Sequence, residues 1–216
     1  FAGDSEKRAL FIHGFPGTPY ELRGLAESLV ERGWQVSVPL LPSFGKDIIN
    51  LAIRNRNDWL GKIKSEYETL KKGSKHMLLV GFSMGGGEVV RYFSRHGGIG
   101  VSKVVLISAI TPYLLKTESS PDGVPQEVFD AKREELAQDR IGFLEEFGQA
   151  FFGVSLLNSP LSKPLLAYYG SLCAVASPRA TSECVKAFSN TDFRSEMKFV
   201  TVPTLIIHGD EDKTVP

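Results

Sequence analysis

Five consecutive residues near the middle of the chain have the types and spacing that a nucleophilic serine needs. Gly81-Phe82-Ser83-Met84-Gly85 follows the apolar run 76–80, typical of a buried strand, and precedes residues 86–93, typical of a helix. A strand, a sharp turn and a helix in this order lift the central hydroxyl clear of the backbone. The flanking glycines leave the space that such a strained turn requires. The pattern therefore predicts that Ser83 is a nucleophile at the amino terminus of a helix.

An activated serine also needs two N–H donors that face the negative oxygen of its reaction intermediate. The first is the backbone N–H of Met84, directly after the serine. The second is expected in a loop after an earlier strand, and His13-Gly14-Phe15-Pro16-Gly17 follows the predicted strand 8–12. This loop offers the backbone N–H of Phe15. We interpret His13 as a structural residue that holds the loop by hydrogen bonding.

A carboxylate that orients a general base is expected after a late strand. Residues 204–207 predict that strand, and His208-Gly209-Asp210-Glu211-Asp212 follows it. The order of serine first and acid later along the chain fits one of the known arrangements of serine hydrolases. An ordinary acidic turn is the alternative interpretation.

Length and charge restrict the kind of partner. A chain of 216 residues suits one domain, with room for an inserted subdomain. The 25 acidic and 25 basic residues balance, so we expect a small-molecule partner and no binding to nucleic acid or to an anionic membrane. The sequence has no apolar stretch that could span a bilayer and no secretory leader, which predicts a cytoplasmic protein. Cys173 and Cys184 are predicted to be free thiols rather than a disulfide.

Apolar runs alternate with amphipathic stretches, which predicts a parallel sheet covered by helices. The predicted strands are 8–12, 34–38, 76–80, 103–107 and 204–207. The predicted helices before residue 110 are 18–32, 57–72 and 86–93.

The alternation stops between Thr111 and about Met197, a stretch that is largely helical and rich in aromatic residues. Aromatic side chains at helical spacing usually pack within a core. Some of the rings could also line an apolar substrate pocket beneath a helical cap. Both interpretations can hold together.

The three motifs, built around His13, Ser83 and His208, resemble the α/β-hydrolase superfamily. From Leu79 onward the chain is similar to the cofactor-free chloroperoxidase and aryl esterase group, whereas residues 1–75 look more like small carboxylesterases. The segments that carry the closer similarity are Val80-Gly81-Phe82-Ser83-Met84-Gly85-Gly86-Gly87-Glu88-Val89, Val105-Leu106-Ile107-Ser108-Ala109, Gly123-Val124-Pro125-Gln126-Glu127-Val128-Phe129-Asp130 and Lys186-Ala187-Phe188-Ser189-Asn190-Thr191-Asp192-Phe193.

This resemblance implies an α/β-hydrolase fold: a mostly parallel sheet with helices on both faces and a helical cap insertion. The implied divisions are a core over 1–110, a helical cap over 111–197 and a return to the core over 198–216. The loop 42–46 departs from the usual family pattern, so the substrate preference of the family does not transfer directly.

The resemblance also implies roles for single residues. Ser83 would be the nucleophile, and the N–H groups of Phe15 and Met84 would form the oxyanion hole. Asp212 would be the catalytic acid, with Asp210 as the second choice. No metal and no organic cofactor are implied.

The catalytic histidine of the family has no counterpart among the four histidines of the sequence, which are His13, His76, His96 and His208. In the family it follows the acid after a further strand and helix. We therefore expect it beyond Pro216, in a longer gene product of which this sequence lacks both ends.

The expected activity is hydrolysis of small or medium, fairly apolar carboxylic esters through an acyl-enzyme. The resemblance suggests perhydrolysis as a side activity, in which peroxide replaces water. The alternative is a non-catalytic small-molecule binding protein that has lost the base. A lactone or C–C bond hydrolase would use the same residues. The sequence leaves the acyl group, the alcohol and the oligomeric state open.

Overall fold

The computed structural model describes residues 5–14, 17–42, 56–155 and 157–216, with only the backbone of residues 56 and 57. Its strands are β1 Lys7–Ile12, β2 Gln35–Ser37, β3 His76–Phe82, β4 Lys103–Ile107 and β5 Thr204–Ile207. Its α-helices are α1 Arg23–Glu31, α2 Arg56–Lys71, α3 Met84–His96, α4 Gln126–Gln138, α5 Arg140–Phe151, α6 Lys163–Ala174 and α7 Pro178–Asn190. Of these helices, none has both the length and the apolar character that crossing a membrane requires.

The elements predicted from the sequence are present, with small differences at their ends. The helix expected over 18–32 begins as a 3-10 turn, Pro19–Leu22, before α1 starts. Thr18 caps this turn, since its side chain accepts from the N–H of Tyr20.

All five strands lie parallel in one sheet, in the order β2-β1-β3-β4-β5. Ile12 pairs with Gly81, Phe82 pairs with Ile107, and Ile107 pairs with Ile207. The carboxyl ends of β1, β3, β4 and β5 therefore meet at one edge of the sheet. The three motifs predicted from the sequence follow β1, β3 and β5, so they are brought to that same edge.

Helices cover both faces of the sheet. Successive residues of a strand point to opposite faces. Ala9 and Phe11 of β1 pack in the cluster that contains Ala26 of α1, whereas Leu10 and Ile12 pack in the cluster that contains residues of α2 and α3. Burial on both faces explains why the central strands β1 and β3 have continuous apolar runs rather than alternating patterns.

The stretch between β4 and β5 is helical, as predicted. Helix α5 contacts α4 and α6, and α4 contacts α7. The guanidinium of Arg140 ties three of these helices together, because it donates to Oγ1 of Thr181 at 3.0 Å and to the carbonyl of Cys173 at 3.1 Å. Cys173 and Cys184 are free, as predicted. Burial raises the pKa of both thiols to about 12, so both stay protonated and unreactive at neutral pH.

A half-buried ion pair fastens the segment before β5 to α3. Nη2 of Arg91 lies 2.5 Å from Oε1 of Glu196, and each side chain is 18% exposed. Ser94 also donates to this carboxylate, and the guanidinium lies 4.9 Å from the ring centroid of Phe193. Strand β5, which follows, occupies the edge of the sheet and exposes its apolar side chains.

Candidate active site

Ser83 occupies the turn between β3 and α3 in a backbone conformation that few non-glycine residues adopt. Its φ is 51° and its ψ is −119°. The N–H of Ser83 donates to the carbonyl of Ile107 at 2.9 Å, and its own carbonyl accepts from the N–H groups of Gly86 at 3.0 Å and Ile110 at 3.3 Å. These bonds to α3 and to the end of β4 hold the strained turn in place.

This turn can form because Gly14, Gly81 and Gly85 have no side chain that would clash with neighbouring atoms. A Cβ atom on Gly81 would lie 2.6 Å from the carbonyl oxygen of Gly85, and one on Gly85 would overlap the carbonyl of Ile12. A Cβ atom on Gly14 would lie 2.7 Å from Cβ of Ser83. Helix α3 can therefore begin directly against the ends of β1 and β3, and the loop after β1 starts beside the serine.

The N–H of Met84 belongs to the first turn of α3, whose amide groups have no partner within the helix. The helix dipole also places partial positive charge at this end. Phe15, predicted to supply the second donor, lies outside the described residues, as do residues 43–46 of the loop that departs from the family pattern. Gly14, the residue before Phe15, is described and contacts the serine as stated above.

His13 holds the loop, as expected from the sequence. Its side chain is fully buried, its Nε2 accepts from the N–H of Leu41 at 3.2 Å, and its Nδ1 lies 3.0 Å from the carbonyl oxygen of Gly14. Nδ1 therefore carries the proton and donates. Burial lowers the pKa of His13 to about 4, so the ring is neutral at pH 7. Both ring nitrogens form hydrogen bonds with backbone groups, so His13 cannot act as a general base.

Asp212 is held by the turn that follows β5. Its Oδ1 accepts from the N–H groups of Thr214 and Val215, both at 2.9 Å, and its side chain is 18% exposed. Its Oδ2 has no hydrogen bond to any of the described residues and lies 3.8 Å from Nε2 of His208. That Nε2 is 2.7 Å from the carbonyl oxygen of Val215, to which it donates. Asp210, the second choice for the acid, is exposed.

Ser83 and Asp212 line the same cavity, which has a volume of about 570 Å³. Further polar residues of its lining were not predicted from the sequence: Ser108, Ser155, Asn158, Glu211, Lys213 and Thr214. The position of Ser108 could have been predicted from the sequence, because it directly follows β4 just as Ser83 follows β3. The positions of Ser155 and Asn158 could not have been predicted, since the irregular segment between α5 and α6 has no periodic sequence pattern. We call the cavity that Ser83 and Asp212 line the large cavity.

All four histidines lie in the part of the chain that the structure describes. None of them lines the large cavity. His76 begins β3 and His96 ends α3, so both lie at the ends of these elements that are remote from Ser83. Helix α3, with 13 residues, separates His96 from Ser83 by about 20 Å. The structure thus brings together Ser83, the Met84 N–H and Asp212, without a histidine among them.

The sequence and the fold of this chain are similar to those of known proteins. A non-heme haloperoxidase from Rhodococcus erythropolis is 33% identical over 213 residues, which cover 98% of this chain and 77% of that protein. The crystal structure of a bromoperoxidase from Bacillus anthracis matches with a TM-score of 0.88 and 36% identity, over 97% of this chain and 76% of that one. The esterase EaEST from Exiguobacterium antarcticum matches with a TM-score of 0.85 and 28% identity, over 98% and 76%.

The chain also matches the family model of the alpha/beta hydrolase fold over residues 10–216, almost its whole length. The matched range runs from β1 to the end of the chain, so it includes the sheet, the turn at Ser83 and the turn that follows β5. The chain therefore belongs to the α/β hydrolase superfamily, close to its non-heme haloperoxidase group.

Proposed function

We propose that this protein is a serine hydrolase that cleaves carboxylic esters through an acyl-enzyme. The observation that carries the proposal is that Ser83, at the amino terminus of α3, and Asp212, after β5, line one cavity of about 570 Å³. The similarity to an esterase and to haloperoxidases supports the same class of reaction.

In the acylation step, Oγ of Ser83 attacks the carbonyl carbon of the ester and its proton passes to an imidazole base. The carbonyl oxygen becomes an oxyanion, and the N–H of Met84 faces it with that of Phe15 as the second donor. Because the N–H of Met84 lies at the positive end of α3, the developing negative charge is stabilised there. Collapse of the intermediate breaks the bond to the alcohol oxygen, which takes the proton from the imidazolium.

We propose that the base is a histidine that follows Pro216 in the full-length gene product. Oδ1 of Asp212 is fixed by two backbone N–H groups, whereas Oδ2 has no hydrogen bond to the described residues. A carboxylate held in this way can accept the Nδ1–H of an imidazole and so fix its tautomer and orientation. His208 does not act as this base, since its Nε2 already donates to the backbone carbonyl of Val215.

In the deacylation step, water attacks the acyl carbon and gives a proton to the same base. The bond between the acyl carbon and Oγ of Ser83 then breaks, Oγ takes the proton from the imidazolium, and the carboxylic acid is released. Hydrogen peroxide can take the place of water, in which case the product is a peracid that can oxidise halide. We propose this perhydrolysis as a side activity, supported by the similarity to haloperoxidases. Every group in both steps belongs to the protein, the ester or the attacking water or peroxide.

The test uses a fluorophosphonate probe and 4-nitrophenyl acetate with both the 216-residue chain and the full-length gene product. We expect labelling at Ser83, and turnover only in the longer protein, because removal of one member of a triad leaves only a small residual rate. Ser83→Ala should abolish labelling and turnover. Ser171→Ala is the matched control, since Ser171 is an exposed serine on α6 that does not line the large cavity.

An ester rate in Ser83→Ala equal to that of the unchanged protein would refute the role of this serine. Absence of labelling and turnover in both forms of the unchanged protein would favour the alternative, a binding protein that keeps the cavity but not the activated nucleophile. The Ser171→Ala control should be labelled to the same extent as the unchanged protein in either form.

A further inference from the structure

A second serine lies beside Ser83 and repeats its geometry. Ser108 directly follows β4, as Ser83 follows β3, and both residues line the large cavity. The φ of Ser108 is 40°, and among the non-glycine residues that the structure describes only these two serines have positive φ. Such a backbone conformation is costly for a residue with a Cβ atom, and it occurs most often at functional sites. Backbone strain is thus concentrated in two serines of one cavity.

Main-chain hydrogen bonds hold the two serines in one row across the edge of the sheet. The N–H of Ser83 donates to the carbonyl of Ile107 at 2.9 Å. The N–H of Ser108 donates in the same way to the carbonyl of Ile207, also at 2.9 Å. Because Ile107 pairs with Ile207, the row continues from Ser108 to the turn after β5, which holds Asp212. Strand β4 lies between β3 and β5, so Ser108 lies between the proposed nucleophile and the proposed acid.

The proposed base has to span this row. Neighbouring strands of a sheet lie about 4.8 Å apart, so the ends of β3 and β5 are about 10 Å apart. Two hydrogen bonds of the imidazole, one with Asp212 and one with Ser83, cover about 6 Å of that distance. The imidazole ring covers the remainder. A base that contacts both residues therefore passes over the end of β4, where Ser108 lies.

The side chain of Ser108 suits this position in size and in polarity. It is small enough to leave room for a ring above it, and its hydroxyl forms no hydrogen bond with any residue that the structure describes. We infer that Ser108 is a positioning residue for the base, an inference that rests on the proposed function. Its side chain supports the imidazole, and its hydroxyl oxygen stabilises the positive charge that the ring gains when it takes the proton of Ser83.

A purely structural role for the strained turn at Ser108 predicts a different result. The next residue, Ala109, packs against the start of α3, where a Cβ atom on Gly86 would lie 2.4 Å from its Cβ. The turn at Ser108 therefore also brings the chain after β4 against α3. Glycine adopts positive φ without strain, so Ser108→Gly would meet this structural requirement at least as well as serine. A loss of activity in such a variant comes from the missing side chain.

The experiment compares Ser108→Gly, Ser108→Ala and Ser108→Asn in the full-length gene product, with 4-nitrophenyl acetate as the substrate. Ser108→Gly and Ser108→Ala should lower kcat about fivefold with unchanged KM, as loss of one hydrogen-bonding group does. Asparagine tolerates positive φ, but its amide would occupy the space of the ring, so Ser108→Asn should lower kcat about 100-fold. Circular dichroism should show an unchanged fold in all three variants, and Ser108→Gly should have the highest Tm.

The pH dependence of kcat/KM is the measurement that a structural role would not change. Loss of the hydroxyl makes the imidazolium less stable and so lowers the pKa of the base, which should move the acid limb of the profile to lower pH in Ser108→Ala. The charged and titratable residues around the site are the same in every variant: His208, Glu211, Asp212 and Lys213.

Ser155→Asn is the matched control. Ser155 lines the same cavity, but it belongs to the irregular segment between α5 and α6 and not to the row of strand ends. This substitution should alter KM at most. It should leave kcat and the acid limb of the pH profile as they are in the unchanged protein.

A kcat of Ser108→Asn equal to that of the unchanged protein would overturn the role of Ser108 while leaving the esterase proposal intact. An unaltered kcat in Ser108→Gly, or an acid limb of Ser108→Ala at the same pH as in the unchanged protein, would do the same. Absence of both Ser83 labelling and ester turnover in the unchanged protein would overturn the proposed function and this inference with it. Fluorophosphonate labelling of the unchanged protein therefore separates the two failures.

Discussion

Acid should destabilise the protein through His13 before its carboxylates are protonated. The pKa of this histidine is lowered by burial from 6.5 to about 4, and its ring nitrogens bind the backbone on both sides of the loop after β1. In the unfolded chain the ring gains its proton near pH 6.5, whereas in the folded chain it does so near pH 4. Between these values the unfolded state binds more protons, so the free energy of unfolding falls as the pH falls.

The size of the effect follows from the two pKa values. One pKa unit corresponds to about 1.4 kcal/mol, so complete protonation would cost about 3 kcal/mol of stability. About 2 kcal/mol of this would already be lost at pH 5. For a domain whose total stability is on the order of 10 kcal/mol, such a loss is readily measured.

The assay is urea unfolding followed by tryptophan fluorescence at pH 7.5 and pH 5. Comparison with His13→Gln gives the part of the change in free energy of unfolding that is due to protonation of His13. Glutamine keeps a donor and an acceptor but does not titrate in this pH range. The comparison is needed because burial raises the pKa of Glu21, which acts in the opposite direction as the pH falls. We expect the unchanged protein to lose about 2 kcal/mol more than His13→Gln between the two pH values. Equal losses would refute a neutral, buried His13.

Three further predictions concern the serine turn and the ion pair on α3. Ser83→Gly should be about 1 kcal/mol more stable in thermal unfolding than Ser83→Ala, because glycine adopts positive φ without strain; equal stability would contradict this. Gly81→Ala should slow fluorophosphonate labelling about 100-fold or abolish folding, as circular dichroism would reveal, because its Cβ would lie 2.6 Å from a carbonyl oxygen of α3. Glu196→Gln should lower the free energy of unfolding in urea by about 2–3 kcal/mol, because it leaves the charge of Arg91 half-buried without its partner. The exposed pair of Glu6 with Lys75 is its control, and Glu6→Gln should cost less than about 0.5 kcal/mol.

Local sequence patterns were sufficient to predict the strands and helices of the core. The run before Ser83 predicts β3, and the glycines on both sides of the serine predict the turn, because both depend on sterics within a few residues. The structural role of His13 was predicted from its place in the loop after β1. Its partner at Leu41 was not, since that hydrogen bond joins residues 28 positions apart.

The residues that line the large cavity could not be predicted from the sequence. Ser155 and Asn158 lie in an irregular segment, and only packing of the inserted helices brings them to the cavity that contains Ser83. The sequence left the aromatic residues of 111–197 open between core packing and the lining of a pocket. In the structure, Phe129 is buried in the core, whereas Phe151 lines the large cavity.

The sequence by itself determined the order of the elements, the strained turn at Ser83 and the acidic turn at Asp212, because these depend on short-range sterics and on apolar periodicity. Only the tertiary structure decided that Asp212 and not Asp210 faces the serine's cavity, since this depends on how the turn after β5 closes. It also decided that Phe151, at the end of α5, lines the cavity that contains Ser83. The physical reason is that a cavity is bounded by side chains from elements far apart in sequence, whose mutual distances arise only when the whole core packs.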